Sequence, residues 1–85
     1  MYFTYVLRSQ KDNKFYIGLT KDLKARISLH NNGKSRSTAE RQPLSLIYYE
    51  ACLSKTDAIN REKYLKTGYG RRYLNNRLAN YLMDS

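Results

Sequence analysis

With a single cysteine, Cys52, the 85-residue chain can form neither an internal disulfide framework nor a cysteine-based metal cluster. Placed just after an apolar run, Cys52 reads as a small buried hydrophobe. No apolar stretch approaches the length of a membrane span, and the N-terminus lacks a basic segment followed by a long apolar one. The chain is therefore expected to be soluble, intracellular and cytoplasmic. Internal repeats, linkers and low-complexity segments are also missing, so residues 1–85 are expected to form one domain. A domain of this size buries only roughly two-thirds of the surface its unfolded chain exposes, which demands a tight core. Acidic residues are scarce, with Asp+Glu at 7 against Lys+Arg at 16 for a net charge of +9. That excess on a small body points to a polyanionic partner, nucleic acid before anionic membrane. Tryptophan is absent, whereas tyrosine occurs nine times. Tyrosine buries its ring while keeping a polar tip available, which suits a wet functional surface.

What is present sorts into short elements. Residues 2–8 are aromatic and β-branched and read as a strand. Asp12-Asn13 can take the positive φ of a tight turn, and Phe15 to Leu19 reads as the returning strand. Thr20 is a candidate N-cap, with Asp22 complementing the dipole, for a helix from about Lys21 to Asn31 that ends before Gly33. Residues 33–43 form a basic loop with no apolar periodicity, and Leu44 to Ala51 reads as a third strand. Ser54 and Asp57 fit a capping box for a helix reaching about Thr67. Gly68-Tyr69-Gly70 reads as an interruption before a last helix, Arg71 to Met83, with Leu74, Leu78, Tyr81 and Leu82 on one stripe. The expected class is α/β (α+β): a three-stranded, mostly antiparallel sheet flanked by helices, in the order β-β-α-β-α-α.

Several polar side chains are directed inward by the periodicity of their own elements. Leu23, Arg26, Ile27 and His30 fall at i, i+3, i+4 and i+7, so a guanidinium and an imidazole share the apolar face of the first helix. Each alone is compatible with snorkelling at the rim of a core. Glu62 falls on the arc defined by Ala58, Ile59 and Leu65, where a carboxylate is costly unless paired, hydrogen-bonded or metal-bound. A structural ion pair to Arg26 or Lys66 would satisfy it equally well, whereas Arg61 and Lys63 point elsewhere. On the strands, Tyr5 and Tyr16 share a face if their paired positions sum to an odd number, as a turn on Asp12-Asn13 provides. Gly18 lies on that face and leaves room for something to approach.

Together these groups can hydrolyse a phosphodiester. Tyrosine is a weak base unless its phenolate is stabilised, arginine presents a planar fork to non-bridging oxygens, and a carboxylate-held Mg²⁺ polarises phosphate. The set Tyr5, Tyr16-Ile17-Gly18, Thr20, Asp22-Leu23, Arg26, His30, Gly33 and Glu62 resembles the GIY-YIG endonuclease family over essentially the whole chain. The run Arg61-Glu62-Lys63-Tyr64-Leu65-Lys66, followed by Gly70-Arg71-Arg72, looks like its small bacterial stand-alone branch. The resemblance implies a nuclease using one Mg²⁺ or Mn²⁺ ion, with Glu62 as metal ligand, Arg26 on the scissile phosphate and a tyrosine beside the water.

Two positions depart from the family pattern. The first triplet reads Phe3-Thr4-Tyr5, and the late asparagine has three candidates, Asn75, Asn76 and Asn80, of which Asn75 is nearest the apolar stripe. Larger members carry a separate DNA-binding domain, so this chain is expected to hold DNA with Lys34, Arg36, Arg41, Arg71 and Arg72 or through a protein partner. The first functional reading is a metal-dependent DNA endonuclease with a preference for branched, nicked or damaged DNA, repair-related and at the nucleoid when DNA-bound. The second is a nucleic-acid-binding or partner-recruiting module with this fold and no useful turnover.

Overall fold

The computed structural model describes residues 1–84. Strands β1 (Tyr2–Ser9) and β2 (Phe15–Thr20) form a hairpin, followed by helix α1 (Leu23–Asn31) and a 3₁₀ turn (Ala39–Arg41). Strand β3 (Leu44–Cys52) and helices α2 (Lys55–Leu65), α3 (Gly68–Arg77) and α4 (Ala79–Asp84) complete the chain. The sheet order is β2-β1-β3, and both pairings are antiparallel. The expected β-β-α-β-α-α order therefore gains a helix, and the mostly antiparallel sheet is fully so.

Asn13 takes φ 62° at the hairpin, as the Asp12-Asn13 pair leads one to expect. The hairpin closes with Ser9 N–H on Lys14 O at 2.9 Å and Asn13 N–H on Ser9 O at 2.8 Å. This sets Tyr5 opposite Gly18 and Leu7 opposite Tyr16, so the two tyrosines do lie on one face. Central β1 is covered on both sides, and Thr4, Tyr5, Val6 and Leu7 are all buried. On one face Val6 and Ile17 join Leu65 of α2 and Leu74 of α3 in the apolar core. Thr4 Oγ1 also donates to Ala58 O of α2 from that face, at 3.2 Å. On the other face Tyr5 meets His30 of α1.

Helix boundaries follow capping chemistry more closely than composition. Asp22, not Thr20, is the N-cap of α1, its carboxylate accepting from Ala25 N–H at 3.1 Å. Thr20 stays in β2 and instead braces the cap, its hydroxyl bonding the Asp22 backbone on both sides. Gly33, at φ 71°, terminates α1 in the left-handed region as expected. Ser54 caps α2 by accepting from Asp57 N–H. The glycines at 68 and 70 do not interrupt the chain; they open α3. Thr67 Oγ1 accepts from Gly70 N–H while donating to Tyr64 O, so the cap starts the helix before Arg71. A side chain at position 70 would strike the α2 backbone at Tyr64 and Leu65, so glycine permits this close helix approach. The last helix divides at Leu78, whose ψ of 20° leaves the helical range. Tyr81 lies outside the expected apolar stripe, exposed, with the Arg8 guanidinium 5.6 Å from its ring centre.

Two further residues differ from expectation. Cys52 is only partly buried, at the end of β3, where its thiol donates to Ser54 O. Arg61 is half-buried rather than directed away: it forks onto Glu50 of β3 with contacts of 2.9–3.1 Å and lies over the rings of Tyr64 and Tyr73. Tyr48 donates to Glu50 and bonds the Tyr73 hydroxyl, closing a polar clasp between β3, α2 and α3. Burial first, then Tyr73 and Glu50, push the Tyr48 phenol well above its ordinary pKa, so it remains a donor.

Candidate active site

The site grows from the paired tyrosines. Tyr5 is fully buried in β1, and its ring lies across Gly18 on β2. A Cβ at position 18 would collide with the Tyr5 hydroxyl and ring carbons. The space expected beside Gly18 thus exists, and Tyr5 fills it. Tyr16 stacks beside Tyr5 at 6.3 Å between ring centres and remains half-buried.

Helix α1 brings the other two groups. His30 is 1% exposed, its Nε2 is 2.9 Å from the Tyr5 hydroxyl, and its ring centre lies 4.9 Å from that of Tyr16 in an edge-on arrangement. Arg26, one turn earlier, stays exposed, and its charge acts on the Tyr5 phenol. The shared stripe of Leu23, Arg26, Ile27 and His30 therefore brings the imidazole onto the Tyr5 phenol and the Arg26 charge within its influence, although only His30 is buried outright. On the far side His30 Nδ1 is 2.6 Å from Thr38 Oγ1, and Thr38 is fully buried. Thr38 went unnoticed in the sequence because residues 33–43 carry no periodicity. Its one local signal was a short-branched hydroxyl residue eight positions after a histidine.

Electrostatics link Glu62 to this cluster. Burial first, then Tyr16 and, more weakly, Glu62, raise the Tyr5 phenol to about 12, against the opposing pull of Arg26. Tyr5 is accordingly a neutral phenol near pH 7. Burial and the Arg26 charge hold the His30 imidazole below its usual pKa, favouring the neutral ring. Glu62 lies on α2, a helix packed on β1 and β2, and its charge is felt at Tyr5. Its Oε2 pairs with Lys66 Nζ at 3.3 Å, one of the two ion pairs its sequence position allowed. Tyr5, Tyr16 and His30 thus meet in direct contact, with Arg26 and Glu62 acting on Tyr5 through their charges.

The donor set limits what ion could sit here. Among the described residues no group of three or more His, Cys, Asp or Glu gathers to hold a metal. His30 is engaged at both ring nitrogens. One carboxylate without soft or imidazole ligands does not suit zinc, but it does fit a hard cation that keeps most of its water.

The basic residues divide into two kinds. Lys34, Arg36, Arg71 and Arg72 are exposed, and Arg72 leans on the Tyr69 ring. Arg41 is half-buried, 3.6 Å from Asp12, and donates to Phe15 O, so its guanidinium braces the hairpin. It also lines a cavity of about 510 Å³ with Lys14, Arg71 and Asn75. Asn75, Asn76 and Asn80 are all exposed, leaving Asn75 distinguished only by that cavity.

Comparison with known proteins identifies the family of this fold. Residues 1–83 match the family model described as the GIY-YIG catalytic domain. A UPF0213 protein of Lacticaseibacillus paracasei is 44% identical over 66 residues, spanning 76% of this chain and 73% of that protein. The UPF0213 protein SH2523 of Staphylococcus haemolyticus is 40% identical over 67 residues, spanning 78% and 80%. The UPF0213 protein YazA of Bacillus subtilis is 41% identical over 66 residues. With the two tyrosines, the arginine, the histidine and the glutamate all placed by one fold, the chain belongs to the GIY-YIG family, whose catalytic domain is of nuclease type.

Proposed function

We propose that this chain is a divalent-metal-dependent endonuclease that hydrolyses DNA phosphodiester bonds as a single catalytic domain. The observation that carries the reading is the contact of Tyr5 with His30 and Tyr16, with the charges of Arg26 and Glu62 acting on the Tyr5 phenol. A structural core has no need of an exposed arginine whose charge acts on a buried phenol. A cleavage site does, because a scissile phosphate requires a preorganised positive fork.

Arg26 binds the non-bridging oxygens, with its orientation fixed by Tyr5. Tyr16, the more accessible phenol, adjoins the attacking water, while Tyr5 supports it from the buried side. His30 holds Tyr5 in place and excludes water behind it. Glu62 is the residue that would hold Mg²⁺ or Mn²⁺, exchanging Lys66 for the ion. Such an ion supplies Lewis-acid polarisation of the phosphate and charge for the departing oxygen. Lys34, Arg36, Arg71 and Arg72 grip flanking phosphates, while Arg41 braces the hairpin against Asp12 and faces the 510 Å³ cavity beside Arg71. Branched, nicked or damaged DNA is the expected substrate, and the cytoplasm is the expected location. No helix among the described residues is long and apolar enough to cross a membrane.

The Glu62–Lys66 pair favours a second reading, a nucleic-acid-binding module whose carboxylate is already neutralised. Plasmid nicking by purified protein with Mg²⁺, Mn²⁺ or chelator separates the two. Under the first reading wild type nicks only with metal, and Glu62→Ala loses that activity while still binding DNA. Binding without nicking under any metal would leave the binding module standing.

A further inference from the structure

The buried polar chain behind Arg26 ends outside both α1 and the sheet, on Thr38 in the basic loop. Donor and acceptor roles along it can be assigned from its charged end. The Arg26 charge acts on the Tyr5 phenol, and a cation draws the oxygen lone pairs toward itself and turns the phenolic proton away. The phenolic proton is then available to the other partner, His30 Nε2, at 2.9 Å. A neutral imidazole that accepts at Nε2 carries its hydrogen on Nδ1. That hydrogen faces Thr38 Oγ1 at 2.6 Å, and both residues are buried.

We propose that Thr38 is a positioning residue for this site: by accepting from His30 Nδ1–H it holds the tautomer that keeps Nε2 open to Tyr5, which in turn presents its oxygen to Arg26. The donors then run one way, away from the guanidinium, from phenol to imidazole to threonine. In the opposite tautomer His30 would donate to the Tyr5 oxygen and compete there with Arg26. The phenolic proton would then have to turn toward the Arg26 charge, which disfavours it. The alignment of the guanidinium would loosen.

Thr38 is itself held by its loop. Its N–H donates to Ser35 O at 3.2 Å, and its carbonyl accepts from Arg41 N–H at 2.9 Å. Lys34 and Arg36 lie in the same loop, so the segment that would grip flanking phosphates also carries the last link of the chain that orients Arg26. The catalytic consequence rests on the nuclease reading. The hydrogen-bond assignment does not.

The test uses the full chain with Thr38→Val, which keeps the branched shape but loses the acceptor, and Thr38→Ser, which keeps the hydroxyl. Nitrogen-15 NMR of the imidazole reports the His30 tautomer directly, and single-turnover cleavage reports the rate. The Nδ1–H form is expected in wild type and Thr38→Ser, and its loss or mixing in Thr38→Val. The cleavage kcat should fall ~10–100-fold in Thr38→Val with KM little changed, the scale of an outer hydrogen-bond partner, and return in Thr38→Ser. An Nε2–H tautomer in wild type would overturn the proposal even if Thr38→Val does not fold. So would a Thr38→Val protein that keeps both the Nδ1–H form and the wild-type kcat. Tautomers that respond as expected in a wild-type protein without cleavage would uphold the assignment and sink the nuclease reading.

Discussion

At the scale of single residues His30 ties acid sensitivity to the site. It is faced by Arg26 from its own helix, Tyr5 from β1, Tyr16 from β2 and Thr38 from the loop. Its native pKa lies below the ordinary value of about 6.5, so on acidification the unfolded chain takes up a proton before the native one. The stability this provides is fully present above the unfolded pKa and is lost as pH falls through the native one. Urea unfolding followed from about pH 8 to pH 5 should show that loss in wild type and a shallower one in His30→Gln. Equal slopes would contradict it. Asp12 does not confound the window: the Lys14 backbone N–H holds its carboxyl below the usual range, and its loss comes only at lower pH. The inward placement of Tyr5, Tyr16 and His30 was legible because strand and helix periods fix which side a residue faces. Thr38 and Arg61 were not. A loop has no period, and a helical wheel does not show that a strand carboxylate such as Glu50 waits opposite an arginine.

Among the elements, the β1–β2 hairpin determines the site's geometry, and Gly18 is its critical position. The hairpin register was readable from the parity of a turn at Asp12-Asn13, and the antiparallel sheet follows from it. The caps were harder to read. Thr20, Asp22 and Thr67 are all good capping types, and only the tertiary path decides which one is used. At Gly18, the replacement of glycine by a better strand former would ordinarily help slightly. Here the added methyl meets a buried ring whose hydroxyl is already committed to His30. Gly18→Ala should therefore destabilise by about 1–3 kcal/mol through overpacking. In a domain of this size that corresponds to a fall in Tm of about 4–8 °C per kcal/mol. Cleavage should fall further than stability alone explains, because Tyr5 must shift to relieve the clash. A Gly18→Ala protein that melts and cleaves like wild type would show that Tyr5 is not pinned.

For the whole molecule, fold and charge were both legible in the sequence, but the division of labour among the basic residues was not. A net charge of +9 says that a polyanion is attracted, not which cations touch it. The fold separates Arg41, braced against Asp12 and the hairpin backbone, from the exposed Lys34, Arg36, Arg71 and Arg72. Each phosphate neutralised on duplex DNA releases counterions and adds about −0.9 to the slope of log affinity against log salt. If those four exposed residues supply the grip, the slope for a duplex should be about −3 to −4. Replacing Arg71 or Arg36 by Ala should make it shallower by about one, with little change in stability. Arg41→Ala should do the reverse, lowering the melting temperature while leaving the slope nearly intact. Fluorescence anisotropy over a salt series, with a thermal melt of each variant, measures both quantities. An affinity that stays flat between low and physiological salt would remove the electrostatic basis for DNA as the partner.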